Sequence, residues 1–128
     1  MDGHFDGNSI IVELEVNSPI SKKVKQTLPF KIDTGFTNDL CITYKEAFPL
    51  ALTLVGIQDY QIADGSSVQW FECLGLITSG SKQIPAVVSV RPSGSLLMGI
   101  SLMRKLSSKL EIDFTNQKVH FSRLKRHT

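Results

Sequence analysis

The residues best suited to chemistry in this chain are Asp33, Thr34 and Gly35, which directly follow the alternating apolar run at positions 27–32. This tripeptide would display a carboxylate on a tight turn at the end of a strand. In one class of hydrolytic reaction, two such carboxylates share one proton and activate a water molecule. The chain carries a single Asp-Thr-Gly, so it would supply half of such a site.

The same tripeptide has a simpler interpretation as a β-turn closed by a bond from the aspartate side chain to the backbone. Average residue usage places an Asp-Thr-Gly by chance in roughly one chain in fifty of this length. The tripeptide alone therefore does not distinguish a catalytic site from an ordinary turn, and the neighbouring segments have to be considered.

The first part of the chain has the period of half-buried strands. Three strands are predicted from the apolar residues Ile10, Val12, Leu14 and Val16, then Leu28, Phe30 and Ile32, then Leu40 and Ile42. The middle strand leads straight into Asp33. Thr43 and Glu46 have the spacing of a capping box, which predicts a short helix from Tyr44 toward Phe48.

The middle of the chain contains a hairpin signal, because Asp64-Gly65 separates two strand-like runs within residues 60–71. The second strand is expected to continue through Ile77, turn at residues 79–81 and return at residues 84–90. Short strands with frequent turns predict an all-β domain.

The last part predicts a strand at residues 95–98 that enters Gly99 and then a helix with a core stripe of Leu102, Met103 and Leu106. Two strands, around residues 110–114 and 119–121, close the chain. A length of 128 residues fits one domain with one core. We expect a single domain over residues 1–128, with flexible ends at 1–8 and 122–128.

Composition argues against several function classes. A net charge of +2 and a pI near 8.6 are too mild for a nucleic-acid partner, so the basic residues Arg123, Lys125, Arg126 and His127 are expected to form a solvated tail. Cys41 and Cys73 lie in apolar runs and are expected to be buried thiols. Neither the cysteines nor the three histidines have metal-ligand spacing, so no metal and no cofactor are predicted. No apolar run suits a membrane span or a signal peptide, which favours the cytoplasm.

The order of these segments resembles the retropepsin-like aspartic proteases, most closely the small prokaryotic single-domain type. Three stretches carry the resemblance: residues 32–37 with Asp-Thr-Gly, residues 63–66 (Ala63, Asp64, Gly65, Ser66), and residues 97–102 with Gly99, followed by residues 110–113. Phe36 and Met98 depart from the commonest pattern, where Ala or Ser and Leu stand. The Phe agrees with the prokaryotic subgroup and leaves the shape of the substrate pockets in question.

The resemblance implies a closed barrel-like domain with a flap hairpin, one or two short helices and no cofactor. Asp33 would be the catalytic acid or base, Thr34 would bond across a dimer axis, and Gly35 would let the backbone turn tightly. Gly99 would support this turn from below. The hairpin with Ala63, Asp64, Gly65 and Ser66 would be the flap that closes over substrate.

One carboxylate cannot act as base and acid at once, so the active form is expected to be a homodimer that hydrolyses a peptide or protein substrate. The candidates for lining substrate pockets, each of which could instead be core, are Phe36, Ile62, Trp70 and Val88. Two alternatives stay open. One is a catalytically silent dimerisation or peptide-binding module with this fold, and the other is a monomeric β-barrel for a small ligand.

Overall fold

Ten strands and two short α-helices make up the computed structural model, which describes residues 1–61 and 63–123. The strands are β1 (Asp2–Asp6), β2 (Ser9–Asn17), β3 (Lys25–Asp33), β4 (Leu40–Thr43), β5 (Thr53–Gln61), β6 (Ser67–Ser79), β7 (Lys82–Arg91), β8 (Leu97–Gly99), β9 (Lys109–Asp113) and β10 (Lys118–Ser122). The helices are α1 (Tyr44–Ala47) and α2 (Ile100–Leu106), and a 3₁₀ helix follows α1 at Phe48–Leu50. Strands hold 59% of the described residues and helices 12%, so the predicted all-β class is confirmed.

Six of the strands close into a barrel. In the order β2, β3, β8, β4, β7 and β6 each strand pairs with the next, and β6 returns to pair with β2 through Val16 and Ile77. Closure removes free edges from these six strands. Two extensions leave the barrel: β5 pairs with β6 as a long hairpin, and β1, β10 and β9 continue the sheet from β2.

The core confirms the predicted alternation along β2 and β3. Val12, Leu14 and Val16 are buried, as are Leu28 and Phe30. The predicted helical stripe is also confirmed, since Leu102, Met103 and Leu106 are all buried. Ile10 and Ile32 are half-buried and pack against the edge of this core.

The position of β8 determines where the residues after β3 can go. This strand lies between β3, to which it is parallel, and β4, to which it is antiparallel. Asp33 at the end of β3 is directly opposite Gly99 at the end of β8. The loop from β3 to β4 therefore has to cross over the end of β8.

The predicted short helix forms where its capping box begins. The main-chain N–H and the hydroxyl of Thr43 both donate to Glu46 Oε1, at 3.2 and 2.7 Å. Pro49 lies in the following 3₁₀ helix. Ala51 then takes a left-handed backbone with φ 48°, which ends the helical segment.

Strand β1, within residues 1–8 that we expected to be flexible, pairs with β10; most of the other predicted flexible end, 124–128, lies outside the described residues. Strand β1 lies between β2 and β10, and its Asp2 is 2.5 Å from His120 Nδ1. Arg123 was expected in a solvated tail, but its guanidinium donates to the carbonyl of Lys105 at the end of α2. The remaining basic residues, Lys125, Arg126 and His127, lie outside the described residues.

Candidate active site

The Asp33 turn is held by its own side chain. Gly35 N donates to Asp33 Oδ1 at 2.9 Å, and Phe36 N donates to the Asp33 carbonyl at 3.1 Å. The local geometry is therefore the aspartate turn of the simpler interpretation. Asp33 is half-buried, and Oδ2 has no hydrogen-bond partner among the residues that the structure describes. One carboxylate oxygen is thus oriented by the turn, and the other is not bonded to any described residue.

Glycine at position 35 leaves space beside the Asp33 carboxylate. Its φ lies outside the left-handed region, which among the described glycines occurs at Gly7, Gly65, Gly80 and Gly94. A Cβ at position 35 would lie 3.2 Å from Asp33 Oδ1, which is tighter than an ordinary contact. The missing side chain leaves the carboxylate room to keep its bond to the backbone.

Gly99 lies directly against the loop that follows Asp33. Its N–H donates to the Asp39 carbonyl at 2.8 Å, and the next residue, Ile100, donates to the Phe36 carbonyl at 2.9 Å. A Cβ at position 99 would lie 1.9 Å from the Asn38 carbonyl oxygen and 2.7 Å from that of Phe36. The loop occupies the space that any side chain at this position would need.

Asp39 is a second anchor of this loop, and the sequence interpretation missed it. Its side chain is buried, and Oδ2 accepts from Val87 N at 2.9 Å and from Lys105 Nζ at 2.7 Å. The loop is thereby tied to both β7 and α2. A charged residue just before the apolar run at 40–42 was a weak signal, and the partner on α2 is 66 positions away.

The predicted hairpin is confirmed. Strands β5 and β6 are paired from Gln61 and Ser67, next to the turn, to Thr53 and Leu74. The tip residues are exposed: Ala63, Asp64, Gly65 and Ser66. Asp64 Oδ1 accepts from Ser66 N at 2.9 Å and from Ser66 Oγ at 2.6 Å, and these bonds lower the pKa of Asp64. Gly65 has φ 88°, which a residue with a side chain rarely adopts. Among the described residues no hydrogen bond joins this tip to the Asp33 turn.

The candidates for substrate pockets have different environments. Phe36 is half-buried beside Gly99, and Trp70 is half-buried with the Arg91 guanidinium 5.5 Å from its ring. Val88 is fully buried in the hydrophobic core. Ile62 lies outside the described residues.

The described part of the chain shows neither of two other kinds of feature. It contains no group of three or more His, Cys, Asp or Glu side chains placed to hold a metal ion. None of its helices is long and apolar enough to cross a membrane.

The chain was compared with known protein families, sequences and structures. No family model and no curated protein sequence matches the chain. A solved structure, EIAV protease complexed with the inhibitor HBY-793, matches with a TM-score of 0.56, over 84% of this chain and 100% of that chain. The chain has a retropepsin-like fold. The predicted fold is therefore confirmed, and at 17% sequence identity the likeness concerns the fold alone.

Proposed function

We propose that the chain is one subunit of a homodimeric aspartic endopeptidase in which each copy contributes Asp33. The observation that supports this proposal is the fixed geometry of the Asp33 turn. The N–H of Gly35 orients Asp33 Oδ1, and the following loop packs on Gly99. Oδ2 has no hydrogen-bond partner in the part of the chain that the structure describes. This arrangement occurs in a retropepsin-like fold. Rigid strands hold the Asp33 carboxylate in a fixed position, and catalysis requires reacting groups to be held in this way.

The proposed reaction needs one proton between two carboxylates. At roughly 4 Å and an effective dielectric near 20, two ionised carboxylates would repel by about 4 kcal/mol, so the pair retains one proton. The ionised Asp33 takes a proton from water while the protonated one donates to the scissile carbonyl oxygen. Water oxygen bonds to the carbonyl carbon, and proton transfer to the amine then releases the two peptide products.

The second copy would meet this one on the side of Thr34. Thr34 is exposed and borders a cavity of about 150 Å³ together with Lys109 and Leu110, at the start of β9. Strand β9 ends the sheet among the described strands, so its outer edge is free. A two-fold axis beside this edge would bring both Thr34 side chains, and both Asp33 turns, toward each other.

The main chain of β9 is oriented for such pairing. Phe121 N donates to the Met1 carbonyl at 2.8 Å and its carbonyl accepts from the Met1 amino group, so the Phe121 backbone faces β1. In an antiparallel ladder the opposite residue, Leu110, must then direct its N–H and C=O away from β10. The N–H and C=O of Ile112 also point away from β10. The β9 strands of two copies can therefore pair antiparallel, with Glu111 of one copy opposite Glu111 of the other.

This pairing would place Lys109 of each copy opposite Asp113 of the other. We expect Lys109→Asp to weaken the dimer by about tenfold, because directly opposed like charges destabilise strand pairing. Adding Asp113→Lys should restore it. Sedimentation over a concentration series measures both, and a Lys109→Asp dimer as tight as the wild type would argue against this surface.

The β5–β6 hairpin is proposed to be the flap. An extended peptide would lie between the hairpin and the Asp33 turn, with main-chain bonds giving affinity and side-chain pockets giving selectivity. Three exposed apolar residues on β5 would face the solvent or the ligand: Leu54, Val55 and Ile57. The cytoplasmic location stays a prediction from the sequence.

The activity is tested by incubating an unfolded protein with the wild type and with Asp33→Asn, from mildly acidic to neutral pH, and finding the cut sites by mass spectrometry. We expect cleavage by the wild type alone. Equal cleavage by both would contradict the assignment. If neither cleaves while both are dimers, the silent peptide-binding module is the better description.

A further inference from the structure

A row of directly opposed residues connects the face of the sheet that carries Asp33 to β6. From β6 to β3 these residues are Glu72, Ser89, Cys41, Leu97 and Lys31, and Asp33 lies two positions beyond Lys31. Directly opposed residues project from the same face of a sheet, and so do residues two apart on one strand. Glu72 is therefore on the face of Asp33, while Val88 and Ile42 point into the core.

Glu72 has an unused acceptor. The residue is 8% exposed, and its Oε2 accepts from Ser89 Oγ at 2.9 Å. Its Oε1 is buried and has no hydrogen-bond partner among the described residues. Burial of a polar group without a partner is unfavourable, so such atoms are few in native proteins and call for an explanation.

Arg91 supplies the complementary unused donor. It lies two residues beyond Ser89 on β7, diagonal to Glu72 and on the same face. Its Nη2 donates to the Ser95 carbonyl at 2.6 Å, whereas its Nε is buried without a partner in the described part of the chain. Both charges act on Cys41, on the same face of the sheet: burial raises the pKa of this thiol, Arg91 lowers it and Glu72 raises it.

The neighbouring strand has no side chain opposite Glu72. Gly56 on β5 is directly opposite Glu72, next to an irregularity in the ladder between Leu54 and Gly56. A Cβ at position 56 would meet only the Cβ of Glu72, at an ordinary 3.8 Å. The strand of the proposed flap thus lacks a side chain at the point where Glu72 carries its unused acceptor.

We propose that Glu72 and Arg91 form a subsite for the carboxamide of a substrate glutamine or asparagine; this inference rests on the proposed function, which places a peptide in the same cleft. The carboxamide N–H donates to Glu72 Oε1, and its oxygen accepts from Arg91 Nε. A carboxylate side chain is repelled by Glu72, and an ammonium group is repelled by Arg91. The subsite therefore selects a neutral polar group over either charge.

The selected residue lies several positions from the scissile bond. Four strand spacings of about 4.8 Å separate β3 from β6, and an extended peptide advances about 3.3 Å per residue. A peptide set for the test should therefore scan at least six positions on each side of the central bond of the peptide.

The test measures binding, so that it does not depend on cleavage. Fluorescence anisotropy of labelled peptides is recorded with the full chain carrying Asp33→Asn, with Gln, Leu, Glu or Lys placed at each scanned position. We expect one position where Gln binds about tenfold more tightly than Leu, Glu or Lys, because a site built to bond an amide rejects analogues that cannot. No such position, or no peptide binding, would overturn the subsite.

Two variants separate recognition from folding. Added to Asp33→Asn, Glu72→Met should lose the preference for Gln and relax the rejection of Glu, while Arg91→Met should relax the rejection of Lys. Glu13→Met, at an exposed position on β2, should change none of these ratios. A preference for Gln that survives in both variants would overturn the proposal. An ordered water would then be the partner of Glu72 Oε1 and Arg91 Nε. Cleavage by the unmutated chain is scored separately, so failure of the protease assignment remains distinguishable.

Discussion

The Asp33 turn and the Asp64 turn are built from the same local bond, yet their surroundings differ. In each, the aspartate Oδ1 accepts from the main-chain N–H two residues later, at 2.9 Å. The loop after Asp33 then packs on Gly99 and is anchored by the buried Asp39. The residues around Asp64 are exposed at the tip of a hairpin, where Asp64 accepts both of its hydrogen bonds from Ser66.

The difference shows that the local motif does not by itself make a reaction centre. A side chain to backbone bond orients a carboxylate relative to its own turn, whereas β8 and Gly99 orient the turn relative to the barrel. Only the second kind of constraint can hold an atom to the tolerance that catalysis needs. The exposed turn lacks this second constraint, as a closing flap would require.

The largest effect should come from Gly99→Ala. Its Cβ would lie 1.9 Å from the Asn38 carbonyl, so the loop after Asp33 has to move. We expect a loss of more than about 3 kcal/mol in the free energy of unfolding, measured by urea denaturation, because moving the main chain of this loop is energetically costly. Gly56→Ala is the matched control, and equal losses in the two variants would contradict the account.

The second effect concerns the anchor at Asp39. Lys105→Met removes the cation and leaves a buried carboxylate with Val87 N as its remaining partner, which should cost about 2 kcal/mol. Asp39→Asn removes the buried charge itself and should cost less. Denaturation of both variants gives the order, and a larger loss for Asp39→Asn would mean that the ion pair is not what anchors the loop.

The third effect separates positioning from stability. Gly35→Ala puts a Cβ 3.2 Å from Asp33 Oδ1, so the carboxylate must shift by a few tenths of an ångström. We expect kcat to fall by about ten- to a hundredfold while the free energy of unfolding changes by less than about 1 kcal/mol. Steady-state kinetics beside a urea titration would show this, and unaltered kcat would refute the positioning role.

The smallest effect belongs to the exposed turn. Ser66→Ala removes the side-chain bond that is the main cause of the lowered pKa of Asp64, so this pKa should rise toward 3.8. Because the folded-state value is depressed, the bond stabilises the fold above the unfolded pKa, and this contribution disappears as pH falls through the folded value. An NMR titration of Asp64 measures the shift, and a pKa identical to that of the wild type would exclude Ser66 as its cause.

Features with a short sequence range could be predicted. The alternation along β2 and β3, the Thr43–Glu46 cap, the Asp64-Gly65 hairpin and the passage from β8 through Gly99 into α2 each depend on neighbours within a few residues. Phe114 is an exception. We expected it in the strand with Ile112, but it is 72% exposed, because Asp113 accepts from Asn116 and starts the turn one residue earlier.

Features that join distant parts of the chain were not predictable. Closure of the barrel pairs Val16 with Ile77, and the loop anchor pairs Asp39 with Lys105. Strand β1 inserts between β2 and β10, although residues 1–8 were expected to be flexible. Periodicity reports which face of an element is buried but not which element covers it, so these pairings depend on packing of the whole domain.

The central claim is that the two copies each contribute one Asp33, and mixing the wild type with Asp33→Asn tests it most directly. The two chains are unfolded and refolded together at constant wild-type concentration. Random pairing predicts that activity per wild-type chain falls to about one half with an equal amount of Asp33→Asn and to about one quarter with a threefold excess. Activity that stays constant through this titration would mean that one chain suffices, and would contradict the account.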